Sequence, residues 1–320
     1  MKITVLDGYT LNPGDLSWDA LHRLGDCTIY DRTPDTEIIP RAHDADAILL
    51  NKTVITDKVL AQLPKLKYIG VLATGYNVVD LSACSAAGIP VTNVPEYGTE
   101  SVAQMVLAHC LNVYTPVAQH HQSVRDGQWS DSTDWCYWLS PLQELQGKTL
   151  GLVGFGKIAR AVAKLALAFG VNVIAYNRST PNEIPKHVQM VALSSVFSDS
   201  DIVSLHCPLT EDNEEFVNAE LLATMKSDAM LINTSRGPLI NEQDLAQALT
   251  DGVIAAACLD VLSEEPPRHD NPLLQAPNCI ITPHIAWATK AARQRLLDQA
   301  VTNVMSFIAG ECQNVVNEIS

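Results

Sequence analysis

Three polar residues in the second half of the chain have side chains that together suit one reaction. Arg236, Glu265 and His284 each come shortly after a short apolar run typical of a strand. Hydride reduction of a 2-oxo acid needs a cation for the carboxylate, a proton donor for the developing alkoxide, and a group that keeps the donor protonated. Arginine, histidine and glutamate can fill these roles. Each residue also has a plain alternative as a surface ion pair or loop cap, which spacing alone does not exclude.

A glycine-rich turn precedes these residues. An apolar run ends at Val153, and the G-x-G-x-x-A spacing of Gly154, Gly156 and Ala159 leads into a helical pattern. In this strand–turn–helix context Gly154 permits the tight turn, Gly156 lets the backbone approach a pyrophosphate, and the helix N-terminus offers its amides. An isolated match of this kind can be a plain turn, but the context predicts a dinucleotide site. Its predicted contacts are Gly154, Phe155, Gly156, Lys157 and Ile158.

The residues after the next strand bear on the choice of cofactor. An acidic residue there would bind the ribose 2′-hydroxyl of NAD, whereas this chain has Asn177-Arg178-Ser179-Thr180. The Arg178 guanidinium and the two hydroxyls could instead bind a 2′-phosphate. The alternative is that Arg178 is a solvated loop residue and NAD binds with one hydrogen bond fewer. The prediction is NADP or NAD, with NADP slightly favoured and Asn177, Arg178 and Ser179 as contacts.

Short apolar runs alternate with helical patterns along most of the chain, which predicts parallel βαβ units. One series lies within residues 3–94 and a second within 150–281. Between them the segment 101–125 has one long helical pattern, and a last helix is expected at about 289–308. We therefore predict an α/β protein with two doubly wound parallel sheets.

Composition limits the partners and the compartment. The chain has 320 residues with 47% hydrophobic and 18% charged residues, and its net charge is -15. This charge disfavours binding to nucleic acid or to anionic membranes. The eight cysteines include no CxxC pair, so we expect reduced thiols in a cytoplasmic protein, without a metal site.

Five ordered motifs give the sequence a family resemblance over essentially its whole length. They are Gly154-Phe155-Gly156, His206-Cys207-Pro208-Leu209-Thr210, Asn233-Thr234-Ser235-Arg236-Gly237, Leu259-Asp260-Val261 leading to Glu265-Pro266, and Thr282-Pro283-His284. The sequence resembles the D-2-hydroxyacid dehydrogenase family. The expected organisation is a Rossmann cofactor domain at 100–287 inserted into a flavodoxin-like substrate domain formed by 1–99 and 288–320.

The resemblance implies roles for the motif residues. Arg236 would orient the substrate carboxylate and carbonyl, His284 would exchange the proton with the carbonyl oxygen, and Glu265 would hydrogen-bond His284 and favour its imidazolium form. Asp260 would lie near the nicotinamide. The remaining expected cofactor contacts are His206, Cys207, Pro208, Thr234 and Ser235, the first three of them near the adenosine half.

In the first domain, the resemblance implies that backbone amides of Ala73-Thr74-Gly75 bind the substrate carboxylate. This loop has Asn77 where many family members have Asp. Lys52 follows the third predicted strand and could meet a polar substrate tail, although an exposed lysine is the simpler interpretation. The adjacent His120 and His121 suggest a metal site only at first glance, because neighbours on a helix point about 100° apart.

Within the family, two segments are similar to those of glycerate dehydrogenases, also called hydroxypyruvate reductases: residues 284–289 and the aromatic segment 135–138. Hydroxypyruvate or glyoxylate is therefore the expected substrate. In relatives the aromatic segment helps form a dimer arm, so we expect a homodimer. Trp138 then either shapes a substrate pocket or only packs the interface.

Two other functions remain open at this point. A formate dehydrogenase shares the fold but is expected to have Gln in place of Glu265. A dinucleotide-sensing regulator could keep the same scaffold and even the same three polar residues.

Overall fold

The computed structural model describes residues 1–179 and 183–319. The chain forms two compact units, one made of residues 1–98 with 287–320 and the other of 99–286. Within the described residues, none of the helices has both the length and the apolar character that a membrane span requires.

Unit 1 contains a five-stranded, fully parallel sheet in the order β2-β1-β3-β4-β5. This is the flavodoxin-like order. Its strands are β1 (Lys2–Val5), β2 (Asp26–Ile29), β3 (Ala47–Leu50), β4 (Tyr68–Val71) and β5 (Val91–Thr92). Its helices are α1 (Asp19–His22), α2 (Asp35–Ala42), α3 (Asp57–Leu60), α4 (Leu81–Ala86) and, at the end of the chain, α11 (Lys290–Ile308).

The central strands of unit 1 are buried on both faces, which explains their continuous apolar runs. One face packs against α11, where the ring of Tyr68 stacks on Phe307 with centroids 4.8 Å apart. The Tyr68 hydroxyl lies 2.6 Å from Oγ1 of Thr92, so the one polar atom of this buried ring is satisfied.

Unit 2 contains a seven-stranded parallel sheet in the order β12-β11-β10-β9-β6-β7-β8. This is the Rossmann order with one added strand. Its strands are β6 (Thr149–Val153), β7 (Asn172–Tyr176), β8 (Val188–Met190), β9 (Ile202–Leu205), β10 (Met230–Asn233), β11 (Ala256–Leu259) and β12 (Cys279–Ile281). Its helices are α5 (Thr99–Tyr114), α6 (Val117–Arg125), α7 (Lys157–Ala168), α8 (Leu193–Asp199), α9 (Ala219–Leu222) and α10 (Glu242–Thr250).

The predicted fold class, two doubly wound parallel-sheet α/β domains, is confirmed. One element was predicted wrongly, because the segment 101–125 is not a single helix. It is broken between α5 and α6 at Thr115 and Pro116. Proline has no amide hydrogen to donate, and its ring disfavours helical backbone in the residue before it, so the helix stops there.

Candidate active site

The glycine turn after β6 is packed against the end of a neighbouring strand. Gly154 has φ +88°, and a Cβ on it would lie 2.7 Å from the amide nitrogen of Cys207. Only glycine fits this position, both for its backbone conformation and for its contact. The turn is therefore held close to the residues that follow β9, the strand that pairs with β6.

The second glycine leaves its surroundings open. A Cβ on Gly156 would meet no atom within 4 Å, and this residue is the N-cap of α7 without a side-chain cap. The first turn of a helix directs its N–H groups outward past the N-terminus, where they favour an anion. Phe155 and Gly156 thus provide backbone that a pyrophosphate can approach, as the G-x-G-x-x-A spacing predicts.

The residues after β7 include Asn177, which hydrogen-bonds the glycine turn, and Arg178, an exposed cation. Oδ1 of Asn177 accepts a hydrogen bond from the Phe155 amide at 3.0 Å, and its Nδ2 donates to the Ser179 carbonyl at 2.7 Å. Asn177 therefore ties this loop to the glycine turn. Arg178 is exposed and has no hydrogen bond or ion pair within the described residues. Thr180, the second hydroxyl predicted for the 2′-phosphate, lies outside the described residues.

Two buried polar atoms stand without partners where β9 and β10 end. Nδ1 of His206 and Oγ1 of Thr234 have no hydrogen-bond partner among the described residues, although both are shielded from solvent. Burial lowers the pKa of His206 to about 4, so its ring is neutral at pH 7, and Nε2 lies 3.0 Å from Oγ of Ser204. Buried polar atoms normally find partners, so a polar ligand fits this edge of the sheet.

The loop that carries Arg236 is shaped by the buried residue before it. Oδ1 of Asn233 accepts from the Ser235 amide at 3.0 Å, and its Nδ2 donates to the Arg236 carbonyl at 2.8 Å. Oγ of Ser235 donates to the Leu205 carbonyl at 2.8 Å. Arg236 itself is exposed, and within the described residues its side chain makes one hydrogen bond, from Nη1 to the Ser235 carbonyl at 2.6 Å. Most of its donors remain available to a ligand.

Glu265 and His284 are in direct contact. Nδ1 of His284 lies 2.6 Å from Oε2 of Glu265, while Oε1 of Glu265 accepts from the Leu262 amide at 3.2 Å. Their side chains are 35% and 32% exposed, so the pair is accessible to a substrate. A carboxylate that accepts from Nδ1–H leaves Nε2 as the nitrogen that can exchange a proton. This is the geometry of a general acid with its partner.

His284 is presented by a strained turn that depends on Asp260. His284 has φ +53°, a left-handed backbone conformation uncommon for this residue type. The Asp260 carboxylate is 1% exposed and accepts from Oγ1 of Thr282 at 2.5 Å and from the amides of Ile285 and Ala286 at 2.9 and 2.7 Å. Asp260 therefore holds the turn around His284, a role that sequence reasoning missed. Its expected contact with the nicotinamide stays a prediction.

Helix α5 also supports this turn. Oγ of Ser101 donates to the Ala286 carbonyl at 2.5 Å. His109 is buried on the same helix, and desolvation lowers its pKa, while the Asp260 charge acts in the opposite direction. Neither residue was singled out from the sequence, since a lone Ser or His on a helix carries no motif.

In unit 1, two loops at the carboxyl ends of neighbouring strands offer groups to a ligand. The amides of residues 74–77 have no hydrogen-bond partner within the described residues, while the Thr74 carbonyl accepts from Nδ2 of Asn93 at 2.7 Å. In the loop after β3, Asp7 accepts from the amides of Asn51, Lys52 and Thr53 at 2.6, 2.6 and 2.8 Å. This leaves the Lys52 side chain exposed.

The segment after α6 exposes large aromatic rings. Trp135 and Trp138 are 86% and 66% exposed. His120 binds this segment, because its Nε2 accepts from the Leu139 amide at 3.1 Å and its Nδ1 lies 3.0 Å from the Pro116 carbonyl. Both ring nitrogens of His120 are thus used within the protein. Among the described residues no group of three or more His, Cys, Asp or Glu side chains could hold a metal ion.

A family model and several relatives match the chain. Residues 107–286 match the family described as D-isomer specific 2-hydroxyacid dehydrogenase, NAD binding domain. The hydroxypyruvate reductase of Blautia hydrogenotrophica is 50% identical over 99% of this chain and 100% of its own length. The chain belongs to the D-isomer specific 2-hydroxyacid dehydrogenase family. The family predicted from the sequence is confirmed.

Two further relatives agree with this assignment. The glycerate dehydrogenase of Methylorubrum extorquens is 41% identical over 89% of this chain and 89% of its own. The structure of the NADPH-dependent glyoxylate/hydroxypyruvate reductase of Sinorhizobium meliloti matches with a TM-score of 0.84 and 29% identity, covering 98% of this chain and 97% of that one. This D-2-hydroxyacid dehydrogenase is an oxidoreductase that uses a nicotinamide cofactor and acts on a small 2-oxo or 2-hydroxy acid.

Proposed function

We propose that the protein reduces hydroxypyruvate, and also glyoxylate, with NADPH or NADH, and that it oxidises D-glycerate in the reverse direction. The observation that carries the proposal is the 2.6 Å contact between Nδ1 of His284 and Oε2 of Glu265. The names of the relatives from Blautia and Methylorubrum support the choice of substrate.

His284 acts as the general acid of the reduction. When bound, the reduced nicotinamide supplies a hydride to the carbonyl carbon. The His284 imidazolium gives its Nε2 proton to the carbonyl oxygen, and Glu265 stabilises the imidazolium through Nδ1. Arg236 binds the substrate carboxylate with its planar donors and so orients the carbonyl. In the reverse direction, neutral His284 accepts the hydroxyl proton.

We assign the cofactor to the Rossmann unit, with the domain bounds 100–287 predicted above. The residues that would hold it are Gly154, Phe155, Gly156, Lys157, Ile158, Asn177, Arg178, Ser179, His206, Cys207, Pro208, Thr234, Ser235 and Asp260. Open backbone at Gly156 and the unpartnered Oγ1 of Thr234 support this assignment. The exposed Arg178 and the absence of an acidic residue at 177–179 favour NADPH slightly over NADH.

In the substrate domain, predicted as residues 1–99 and 288–320, we assign a carboxylate-binding role to Ala73, Thr74 and Gly75. The unpartnered amides of residues 74–77 support this role, because adjacent N–H groups bind anions well. Asn77 does not supply the carboxylate that many family members have there.

We further propose a homodimer in the cytoplasm. The exposed Trp135 and Trp138 support the dimer, since aromatic side chains are enriched in the cores of interfaces. The eight cysteines, none of which forms a disulfide, support a reducing compartment. Molecular mass in solution for the protein and for Trp135→Ser tests the dimer, and a monomeric parent protein rules it out.

Steady-state assays with the purified protein test the reaction. Hydroxypyruvate, glyoxylate, pyruvate and formate are each supplied with NADH or NADPH, or with the oxidised cofactor for formate, and the glycerate product is analysed for its D form. We expect the highest kcat/KM with hydroxypyruvate. Tight cofactor binding without turnover of any substrate would identify a dinucleotide sensor instead. Turnover of formate would identify a formate dehydrogenase.

A further inference from the structure

The loop that carries Glu265 is held from outside by another carboxylate. Glu242 is the first residue of α10, and its Oε1 accepts from the Ser263 amide at 2.7 Å. Its Oε2 accepts from Nδ2 of Asn271 at 2.7 Å. Ser263 and Asn271 flank Glu265 on both sides, so one side chain fixes both ends of the loop.

A tight backbone contact reinforces this attachment. A Cβ on Gly237 would lie 1.9 Å from the carbonyl carbon of Leu262, so the segment after Arg236 packs directly on the loop. The Leu262 amide is in turn the second partner of Glu265, at 3.2 Å from Oε1. The segment 236–242 therefore contacts the loop 262–271 through Gly237 and Glu242. The segment carries Arg236 and the loop carries Glu265, both proposed active-site side chains.

We propose that Glu242 is a positioning residue for the reaction, which holds the loop 262–271 so that Glu265 meets Nδ1 of His284. The inference rests on the proposed function, since His284 must be the proton donor for it to matter. Glu242 does not touch the His284 ring; it acts through Ser263 and Asn271. A misplacement of about 1 Å at a catalytic group can reduce the rate by up to about 10²-fold, so such a brace has a measurable effect.

A carboxylate suits this position better than an amide. Both oxygens accept from donors, whereas a glutamine offers one acceptor and turns an NH2 group toward a donor. An acidic residue in the first turn of a helix also favours the helix itself, which is the purely structural alternative. Glu220 provides a matched control, because it lies in the first turn of α9 and is exposed, without a hydrogen bond to the loop 262–271.

The experiment compares the parent protein with Glu242→Gln, Glu242→Ala and the control Glu220→Gln. We measure kcat and KM for 2-oxo acid reduction, the pH dependence of kcat, the Kd of the reduced cofactor and Tm. We expect Glu242→Ala to lower kcat by about tenfold and Glu242→Gln by less, with cofactor Kd changed less than about twofold. The control keeps parent kinetics.

The pH profile separates positioning from simple stabilisation of the helix. Reduction needs protonated His284, and a displaced Glu265 stabilises the imidazolium less. The alkaline limb of kcat should therefore move to lower pH in both Glu242 variants. Other titratable groups near the turn include Asp260, whose carboxylate binds the Ile285 and Ala286 amides, and His109 on α5. Near Glu242 itself lies Cys279, where burial and the Glu242 charge both raise the pKa of the thiol.

A double-mutant cycle completes the test. If Glu242 acts through Glu265, adding Glu242→Ala to a Glu265→Gln protein should shift the alkaline limb of the kcat–pH profile little further. A lower Tm with parent kcat and an unmoved limb would overturn the proposal, and so would a loss of cofactor affinity equal to the loss of kcat. If Glu242→Ala does not fold, the same measurements are made on Glu242→Gln and Asn271→Ala. An inactive parent protein would instead refute the proposed function.

Discussion

In both units, an aspartate after one strand accepts hydrogen bonds from the loop that follows a neighbouring strand, but the two loops differ in what they contact. In unit 1, Asp7 follows β1 and accepts three amide hydrogen bonds from the loop after the neighbouring strand β3. In unit 2, Asp260 follows β11 and accepts from the loop after the neighbouring strand β12. Each aspartate thereby presents one side chain, Lys52 or His284.

The difference lies in burial and in what the presented residue touches. Asp260 is fully buried, and the residue that it presents has a left-handed backbone and a carboxylate partner. Asp7 is half-buried, and the exposed Lys52 side chain has no hydrogen bond or ion pair within the described residues. A buried anion with several donors fixes a turn strongly, so catalytic geometry is expected in unit 2 and adaptable recognition in unit 1.

The largest effect is expected at the residue that Asp260 presents. His284→Ala should lower kcat by at least about 10²-fold, because it removes the proposed proton donor, while cofactor Kd stays near the parent value. Lys52→Ala is the matched change in unit 1 and should leave kcat with glyoxylate within about threefold. Full activity of a folded His284→Ala protein would remove this residue from the mechanism.

Glu265→Gln tests what the partner of His284 contributes. The amide can keep a hydrogen bond but not the charge, so the imidazolium is less stable and reduction should fail at a lower pH than in the parent, with kcat reduced about tenfold. The measurement is kcat across the pH range with saturating cofactor. An unchanged profile would contradict the pairing.

Asp260→Asn tests the buried brace itself. An asparagine leaves at least one buried donor without an acceptor, which costs about 1–3 kcal/mol in the free energy of unfolding. Because the turn of His284 loosens, kcat should also fall by about tenfold. Denaturant unfolding and steady-state kinetics measure both effects. A variant that loses only cofactor affinity would show that Asp260 serves the nicotinamide and not the turn.

Arg178→Ala compares a second exposed cation with Lys52. If Arg178 binds a 2′-phosphate, the variant should lose about tenfold in kcat/KM with NADPH and keep its value with NADH. Asn177→Asp should also disfavour NADPH by repulsion. Part of its effect would come from the loss of a loop hydrogen bond, because Asn177 donates to the Ser179 carbonyl and an aspartate cannot. A parent that strongly prefers NADH, together with an inert Arg178→Ala, would leave Arg178 as a surface residue.

The smallest effect is expected for Asp7→Asn. This change removes an acceptor from a half-buried loop, so kcat should stay within about twofold, while KM for hydroxypyruvate rises about threefold. A loss of kcat as large as that of Asp260→Asn would show that the two braces are equivalent and would remove the contrast between the units.

Much of the architecture was predictable because it is encoded locally. Apolar runs that alternate with helical patterns predicted the two parallel sheets, and the glycine spacing predicted the turn between β6 and α7. Strand β8 was missed, since Gln189 interrupts its apolar residues and leaves no continuous apolar run. The break at Pro116 was overlooked, although its chemistry is visible in the sequence.

By itself, the sequence determined the residue types of the site and the strand ends on which they stand. The family resemblance implied that Glu265 hydrogen-bonds His284, but the sequence did not determine that Nδ1 is the atom involved. It also did not determine that the Asp260 carboxylate binds the neighbouring turn, or that Glu242 joins both ends of a loop. These contacts link residues 19 to 29 positions apart, and no local periodicity records them. Only the packing of adjacent parallel strands brings such loops together, because it places their carboxyl ends at one edge of the sheet.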